Sequence, residues 1–451
     1  MTYVYFAKQG RGREVDAMIN KIGERIKDLR KEANVTQGKF ADYLGISFQS
    51  VSRWESGICY PDIELIPSIA HFFNVTTDKL LGVDIMSKKL KVGVVGMGGI
   101  GNLHATCYKN DELAELIAVC DIVKEKADAA AEKFGVKAFY SVKDMLAAFP
   151  EIDAVSVTTS GYDNGSMHFL PAMEVIDAGK NVLVEKPICH EVTDARELVA
   201  YAAKKGVYLG CNLNHYFSEP ADKLFEYMKN DGIGEQVYSM HKVGFNGSSA
   251  SYGGKMGTKW NRPYSHTKAF LTHPFSVMRA FSGDVTHVQA FMDKPGVRRS
   301  AEDMMLSIQS IHLRFQNGSV GYLLSQRGDA MFGLGGWWSY ELAGTKGTAC
   351  IENCVEKLTY WKGAVPNEPQ QEPLVINTGV GDFNATFPRR IHAYLEDVIN
   401  EVPKEFLRAS GRDALATIEY IFAAIDSYEN GGALVRPHAL PPLHGDIKYT
   451  Y

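Results

Sequence analysis

Three hydrophobic rhythms follow one another along the chain. Between 20 and 82 apolar residues recur every three or four positions, as in Ile22, Ile26 and Leu29, which predicts amphipathic helices. Thr36 stands as an N-cap before Gln37–Leu44, and Gly45 stops that helix. Ser47 does the same for Phe48–Glu55, which ends at Gly57. Pro61 and Asp62 open a fourth helix expected to turn Ile63, Ile66, Ile69 and Ala70 inward, and Val75–Leu81 adds one more turn. From 90 to 212 the rhythm changes to short apolar runs, Leu90–Val95, Leu116–Cys120, Ile152–Thr158 and Asn181–Val184, with helical stretches between them. Buried-type strands alternating with helices predict a doubly wound parallel sheet with right-handed crossovers. From 213 to 386 longer extended runs take over: Val237–Phe245, Val285–Met292, Gln309–Gln326 and Trp337–Ala343. Asn317-Gly318 splits the third of these into a hairpin. Amphipathic helices over Phe387–Glu401 and Asp413–Tyr428 close the pattern, within a last segment 387–451.

Composition narrows this picture. A chain of 451 residues is too long for one core. Hydrophobic content of 45% and charged content of 22% are those of ordinary globular proteins. No apolar run approaches the ~18 residues of a membrane span, and 1–17 lack the apolar core of a secretory leader, so a cytoplasmic protein is expected. Seven cysteines, an odd number, point to free thiols. Cys350 and Cys354 lack histidines at ligand spacing, so no metal site is expected. Residues 1–19 read as a polar tail and 83–89 as a linker. Met86-Ser-Lys-Lys-Leu-Lys resembles the first line of an independent protein, so a fusion near Met86 is expected; Met18 is a second candidate start. Between 20 and 84 eight basic residues face nine acidic ones. A single copy of that module would therefore hold a polyanion weakly, and DNA binding would require a dimer.

The candidate chemistry begins at Gly96-Met-Gly98-Gly99-Ile100-Gly101, between a strand and a helix. The first glycine permits a tight turn, the second lets backbone approach a pyrophosphate, and the third lets helix and strand pack. Asp121 ends the next strand, twenty residues after Gly101. An acid there accepts ribose hydroxyls and repels a 2′-phosphate, which favours NAD over NADP. The competing reading makes Asp121 a cap of the Lys124–Lys133 helix.

Two resemblances follow. Thr36-Gln37, Ala41, Leu44-Gly45-Ile46, Val51-Ser52, Trp54-Glu55 and Pro61 resemble the lambda-repressor-like (Xre) helix-turn-helix family over 20–82. That resemblance implies that Gln49, Ser50 and Arg53 face DNA, that Gln37 donates to a phosphate, and that Arg30 and Glu55 brace the module. Glu185-Lys186-Pro187, with His168 and Ala178-Gly179-Lys180 before it, resembles the Gfo/Idh/MocA oxidoreductases, as do Asn214–Pro220, Gly232–Glu235 and Gly344–Gly347. This second resemblance covers about 88–440. It implies a Rossmann domain over 90–212, with Thr158, Glu185 and Lys186 joining the glycines and Asp121 at the cofactor. It also implies an α+β open antiparallel sheet domain over 213–386 that pairs subunits into a homodimer or homotetramer, and final helices that return to the nucleotide domain.

Members of that family oxidise a secondary alcohol of a sugar or cyclitol. Lys186 matches the family lysine, and Leu271–Gly283 places His273 on the family histidine, with Ala269 at the position of its aspartate. Ser276 stands where many members carry another acid. Lys186 and His273 are therefore the expected catalytic and substrate-binding pair, with His215 and His266 as further substrate-binding candidates. Two functions compete: an NAD-dependent dehydrogenase fused to a DNA-binding module, and a transcriptional regulator whose former enzyme domain senses NAD(H) or a sugar.

Overall fold

The computed structural model describes residues 22–33, 35–73, 75, 77–81, 89–160, 167–245, 262–295, 304–327, 336–363 and 371–441. The tail expected at 1–19, the linker from 83 to 88 with Met86, and the last ten residues lie outside them. The chain divides into two compact units, Met1–Lys88 and Lys89–Tyr451.

The first unit is helical. It contains α1 (Ile22–Glu32), α2 (Gln37–Leu44), α3 (Phe48–Glu55), α4 (Ile66–Phe72) and α5 (Thr77–Leu81). The Thr36 hydroxyl accepts the Lys39 amide and the Ser47 hydroxyl accepts the Ser50 amide, so both expected caps are formed. Gly45 ends α2 at φ +68°, a conformation glycine adopts without strain. Ile26, Phe40, Val51, Trp54, Ile69 and Leu80 fill the core. A Cβ on Gly23 would lie 1.9 Å from the Trp54 carbonyl oxygen, so only glycine lets α1 lie against the end of α3. Ile63 departs from expectation. It is 82% exposed, because Ile63–Leu65 form a 3₁₀ turn before α4 and the tighter winding rotates Ile63 off the inner face.

The second unit holds two sheets. Its first part contains β1 (Leu90–Val95), α6 (Gly99–Asn110), β2 (Ala114–Cys120), α7 (Lys124–Phe134), β3 (Lys137–Phe139), α8 (Val142–Ala148), β4 (Ala154–Val157), α9 (Phe169–Asp177), β5 (Asn181–Val184), α10 (Val192–Lys205) and β6 (Leu209–Cys211). The strands form a parallel sheet in the order β3-β2-β1-β4-β5-β6. Strand order reverses between β1 and β4, and the crevice beyond their carboxyl ends is where such sheets bind ligands.

The second part contains α11 (Glu219–Lys229), β7 (Gln236–Phe245), α12 (Ser265–Phe270), α13 (Thr272–Ser282), β8 (Val285–Asp293), β9 (Ile308–Phe315), β10 (Val320–Arg327), β11 (Trp338–Gly344), β12 (Gly347–Glu352), β13 (Lys357–Lys362) and β14 (Leu374–Asn377). These strands form an open sheet in the order β14-β13-β12-β11-β7-β10-β9-β8. Neighbours run antiparallel except β7 and β10, which are parallel, so the sheet is mostly rather than wholly antiparallel. The hairpin at Asn317-Gly318 joins β9 to β10, with Gly318 at φ +90°.

Two final helices, α14 (Thr386–Ile399) and α15 (Gly411–Glu429), complete the unit. Phe387, Ile391, Tyr394 and Leu395 of α14 share a core with Ala105 and Tyr108 of α6. Buried residues of α15, among them Leu415, Ile418 and Ile421, join the larger core that also holds Leu198 of α10 and Val288 of β8. Among the described residues no helix is long and apolar enough to cross a membrane.

Candidate functional site

The glycine turn after β1 is fixed by its own packing. Gly96 sits at φ +94°, and a Cβ there would lie 2.7 Å from the Thr159 nitrogen. A Cβ on Gly101 would lie 1.8 Å from the Gly96 carbonyl oxygen, so α6 starts hard against the turn. The Thr158 hydroxyl, at the end of β4, donates to the Gly96 carbonyl at 2.7 Å and lies 3.0 Å from that of Val95. Around Gly98 and Gly99, by contrast, an added Cβ would meet nothing within 4 Å. Gly98 is the N-cap of α6 and supplies no side-chain acceptor, so the first amides of a twelve-residue helix face open space that a phosphate oxygen can fill. Ile100 is 43% exposed on the same turn. These residues fit a dinucleotide.

Asp121 is buried at the end of β2. Its carboxylate accepts the Met97 amide at 2.7 Å and the Val123 amide at 2.8 Å, tying the second strand to the glycine turn. It does not cap α7, whose N-cap is Val123 with no side-chain bond. Each carboxylate oxygen keeps a further lone pair for a hydroxyl.

Behind the site lies a buried polar chain. Glu185 accepts from His104 Nε2 at 2.9 Å, from the Asn212 amide and from the Lys186 backbone at 3.1 Å. His104 Nδ1 meets Ser156, which also pairs with Tyr108 at 2.7 Å. Burial alone would raise the Glu185 carboxyl, but the His104 hydrogen bond and charge overcome it and hold it below the ordinary carboxylate range. Glu185, expected at the cofactor, is thus committed inward and supports its neighbour. Lys186 follows it, and the cis Lys186–Pro187 peptide is held from behind by His168 Nδ1, 2.7 Å from the Pro187 carbonyl. Burial lowers the Lys186 ammonium below its usual value although Glu185 pulls it upward.

Two buried histidines lie within electrostatic reach of Lys186. His215 lies in the 3₁₀ turn Asn214–Tyr216 just after β6, and His273 lies in α13. Their rings stack in parallel, with centroids 3.6 Å apart and planes within 6°. Burial, then the neighbouring charges, push both imidazoles well below their ordinary value, and Lys186 acts on each. Both are therefore neutral near neutral pH. His273 Nδ1 is buried without a hydrogen-bond partner among the described residues, and Ala269, one turn back in α12, supplies none. Ser276 does not replace the acid, since its hydroxyl donates to the His273 carbonyl at 2.7 Å. His266 meets Ser325 at 3.1 Å and stacks on Phe270, whose ring in turn meets His273 edge-on.

Sequence reasoning missed two neighbours of this cluster. Trp338 in β11 donates its indole N–H to His215 Nδ1 at 3.1 Å. His241 in β7 sets its ring edge-on to Trp338, with centroids 4.7 Å apart, and burial lowers it to about 3. The alternation Ser239, His241, Val243 marks the inner face of β7 and could have drawn attention to His241.

In the helical unit α3 exposes Gln49 and Arg53. The Ser50 hydroxyl lies 2.9 Å from that of Ser47. Arg30 grips Glu55 with two bonds, at 2.5 and 2.8 Å, and the Gln37 amide adds a third at 2.7 Å. Burial would raise Glu55, yet Arg30 and Gln37 hold it below its ordinary value. Gln37, expected on a phosphate, is thus drawn into the brace with one N–H still available. Removing one partner of this partly buried pair should destabilise the module.

With this geometry in place, similarity to known proteins is informative. Residues 90–213 match the Gfo/Idh/MocA model, described as an oxidoreductase family with an NAD-binding Rossmann fold, and residues 26–80 match a helix-turn-helix model. The chain thus joins a helix-turn-helix module to the NAD-binding domain of the Gfo/Idh/MocA oxidoreductase family. It is 30% identical over 150 residues to the D-glucoside 3-dehydrogenase of Escherichia coli, covering 33% of this chain and 42% of that one. It is 30% identical over 146 residues to the myo-inositol 2-dehydrogenase of Thermotoga maritima, covering 32% and 42%. The matched part therefore spans about two fifths of these curated relatives. The fold extends further. Levoglucosan dehydrogenase in complex with NADH superposes with a TM-score of 0.66 at 16% identity, covering 78% of this chain and all of that one. An NAD-binding oxidoreductase from Klebsiella pneumoniae gives 0.68 at 19% identity with the same coverage.

Proposed function

We propose that the second unit is an NAD-dependent dehydrogenase of a sugar or cyclitol and that the first unit attaches it to DNA. The observation that carries this reading is the stacked His215–His273 pair within electrostatic reach of Lys186, in a unit that also carries the open glycine turn. NAD, when bound, accepts hydride from the carbon being oxidised. Gly98, Gly99, Ile100 and Gly101 would hold its pyrophosphate, with Thr158 fixing the turn and Asp121 taking the ribose hydroxyls. Neutral His273 accepts the substrate hydroxyl proton, and the Lys186 ammonium holds the oxygen as its charge develops. The relatives' sugar and inositol names support the substrate class.

Asp121→Ala should weaken NAD about 10–100-fold, the loss expected for hydrogen bonds to a charged acceptor, and NADP by less. Calorimetric titration of both cofactors checks this, and equal losses would remove Asp121 from the ribose. Formation of NADH from NAD and one member of a panel of aldoses, glucosides and inositols tests the enzyme itself.

Exposed Gln49 and Arg53 support DNA reading by α3, and the near-neutral charge of the module calls for a dimer. The outward face of the second sheet, with Met240 47% and Val320 52% exposed, is the surface we assign to pairing of two copies. Gln49→Ala should lose discrimination between duplexes selected from a random library, while Arg53→Ala should weaken all of them alike. A module that retains no duplex at low salt would contradict DNA binding.

Ala269 and the unpartnered His273 Nδ1 favour a second reading, in which the same site binds NAD(H) or a sugar as an effector. In that case no panel member yields NADH, yet NADH or sugar changes the affinity of the full chain for DNA.

A further inference from the structure

The stacked histidines are held differently, and the difference assigns them different tasks. An indole N–H is only a donor, so the Trp338 bond at 3.1 Å requires a lone pair on His215 Nδ1. The proton of neutral His215 must then sit on Nε2. His215 cannot gain a second proton either, because that proton would have to enter Nδ1, where the Trp338 N–H already points. His273 has no such constraint, since its Nδ1 meets no partner among the described residues. Of two rings 3.6 Å apart, only His273 is free to take up a proton.

We propose that Trp338 is a positioning residue that locks His215 as a neutral Nε2–H donor to the oxygen of the reacting carbon, leaving His273 as the proton acceptor. This rests on the oxidoreductase reading and deepens it. The alcohol proton passes to His273, and His215 Nε2–H together with the Lys186 ammonium donates to the oxygen that remains; NAD, when bound, would take the hydride. A family member with an aspartate before its histidine fixes that ring with a carboxylate; here Ala269 offers none, and the ring fixed by a hydrogen bond is the other one of the pair.

The surroundings suit a lock. Trp338 is buried in β11, His241 packs edge-on against it, and the Cys354 thiol lies 3.1 Å from the His215 carbonyl. Phe383 closes the other side, with its ring centroid 4.9 Å from that of His215. Among the described residues the charged and titratable neighbours of His215 include Lys186, His241, His273 and Cys354, and both Lys186 and His241 act against a second proton on His215.

Nitrogen NMR of the full chain labelled at histidine tests the lock directly, with His215 assigned by its absence in His215→Gln. The expected wild-type spectrum has unprotonated Nδ1, protonated Nε2 and no titration down to about pH 5, below the ordinary imidazole range. In Trp338→Phe both tautomers should appear and His215 should begin to titrate. On a substrate that turns over, the same variant should lower kcat by about tenfold with little change in KM. Protonated Nδ1 in wild type, or a His215 signal unchanged in Trp338→Phe, would overturn the proposal. If Trp338→Phe does not fold, the wild-type tautomer alone decides. The tautomer is read without turnover, so a lock found in a chain that makes no NADH would count against the dehydrogenase reading and not against the lock.

Discussion

Lys186→Ala is expected to lower kcat by about 10²–10⁴-fold while leaving NAD affinity nearly unchanged. The ammonium acts on an oxygen whose charge grows only as hydride leaves, so its loss falls on the transition state rather than on the bound ground state. The pH profile should carry the same signature. Burial lowers the lysine, so the ammonium is lost, and the wild-type rate falls, as pH rises through a value below the ordinary 10.5. The acid limb belongs to His273, whose base form survives to well below the ordinary 6.5 because burial and neighbouring charges hold its conjugate acid down. Lys186 is one of those charges. In Lys186→Ala the histidine pKa should therefore rise and the residual acid limb should move to higher pH. Rate profiles of both proteins with saturating NAD check the pair of shifts. An acid limb that stays in place would separate Lys186 from His273.

The second large effect concerns the glycine turn, where two neighbouring glycines should behave oppositely. Gly98→Ala is expected to fold with nearly wild-type stability, since its Cβ enters open space at φ −75°. That same space is the one proposed for the pyrophosphate, so NAD affinity should fall by at least about tenfold, the equivalent of one lost hydrogen bond or one unrelieved contact. Gly101→Ala should damage the fold first. Its Cβ would lie 1.8 Å from the Gly96 carbonyl and 2.8 Å from the Thr158 hydroxyl, and backbone cannot yield that far without moving α6. Overpacking of this kind costs about 1–3 kcal/mol or more. Thermal unfolding alongside NAD titration separates the two. A Gly98→Ala protein that binds NAD as wild type does would move the pyrophosphate elsewhere.

Much of the architecture was legible because local chemistry and global fold agree. Thr36, Ser47 and Gly45 specify the helix ends of the small module through bonds within three residues. Asn317-Gly318 likewise forms its hairpin locally. Strands β3 and β6 escaped notice because three residues are too few to show a period. The parallel pairing of β7 with β10 is a long-range choice that neither strand displays on its own. The candidate site divides along the same line. Lys186 was legible from its immediate neighbours, and His273 from the pattern around it. The Trp338–His215 bond joins residues 123 positions apart, and the commitment of Glu185 to His104 spans 81. No local pattern carries such contacts. The bond from Gln37 to Glu55, eighteen residues on, is a further contact that the resemblance did not display.

Hydride transfer at this site, from a sugar or cyclitol carbon to NAD, can be read by following an isotope. The full chain is incubated with NAD and a panel sugar or inositol carrying deuterium on its ring carbons, and the NADH formed is examined by mass spectrometry. The expected product is NADH carrying one deuterium, formed more slowly than from the protiated substrate and lost in Lys186→Ala. NADH without deuterium, or no NADH from any member of the panel, would contradict hydride transfer at this site.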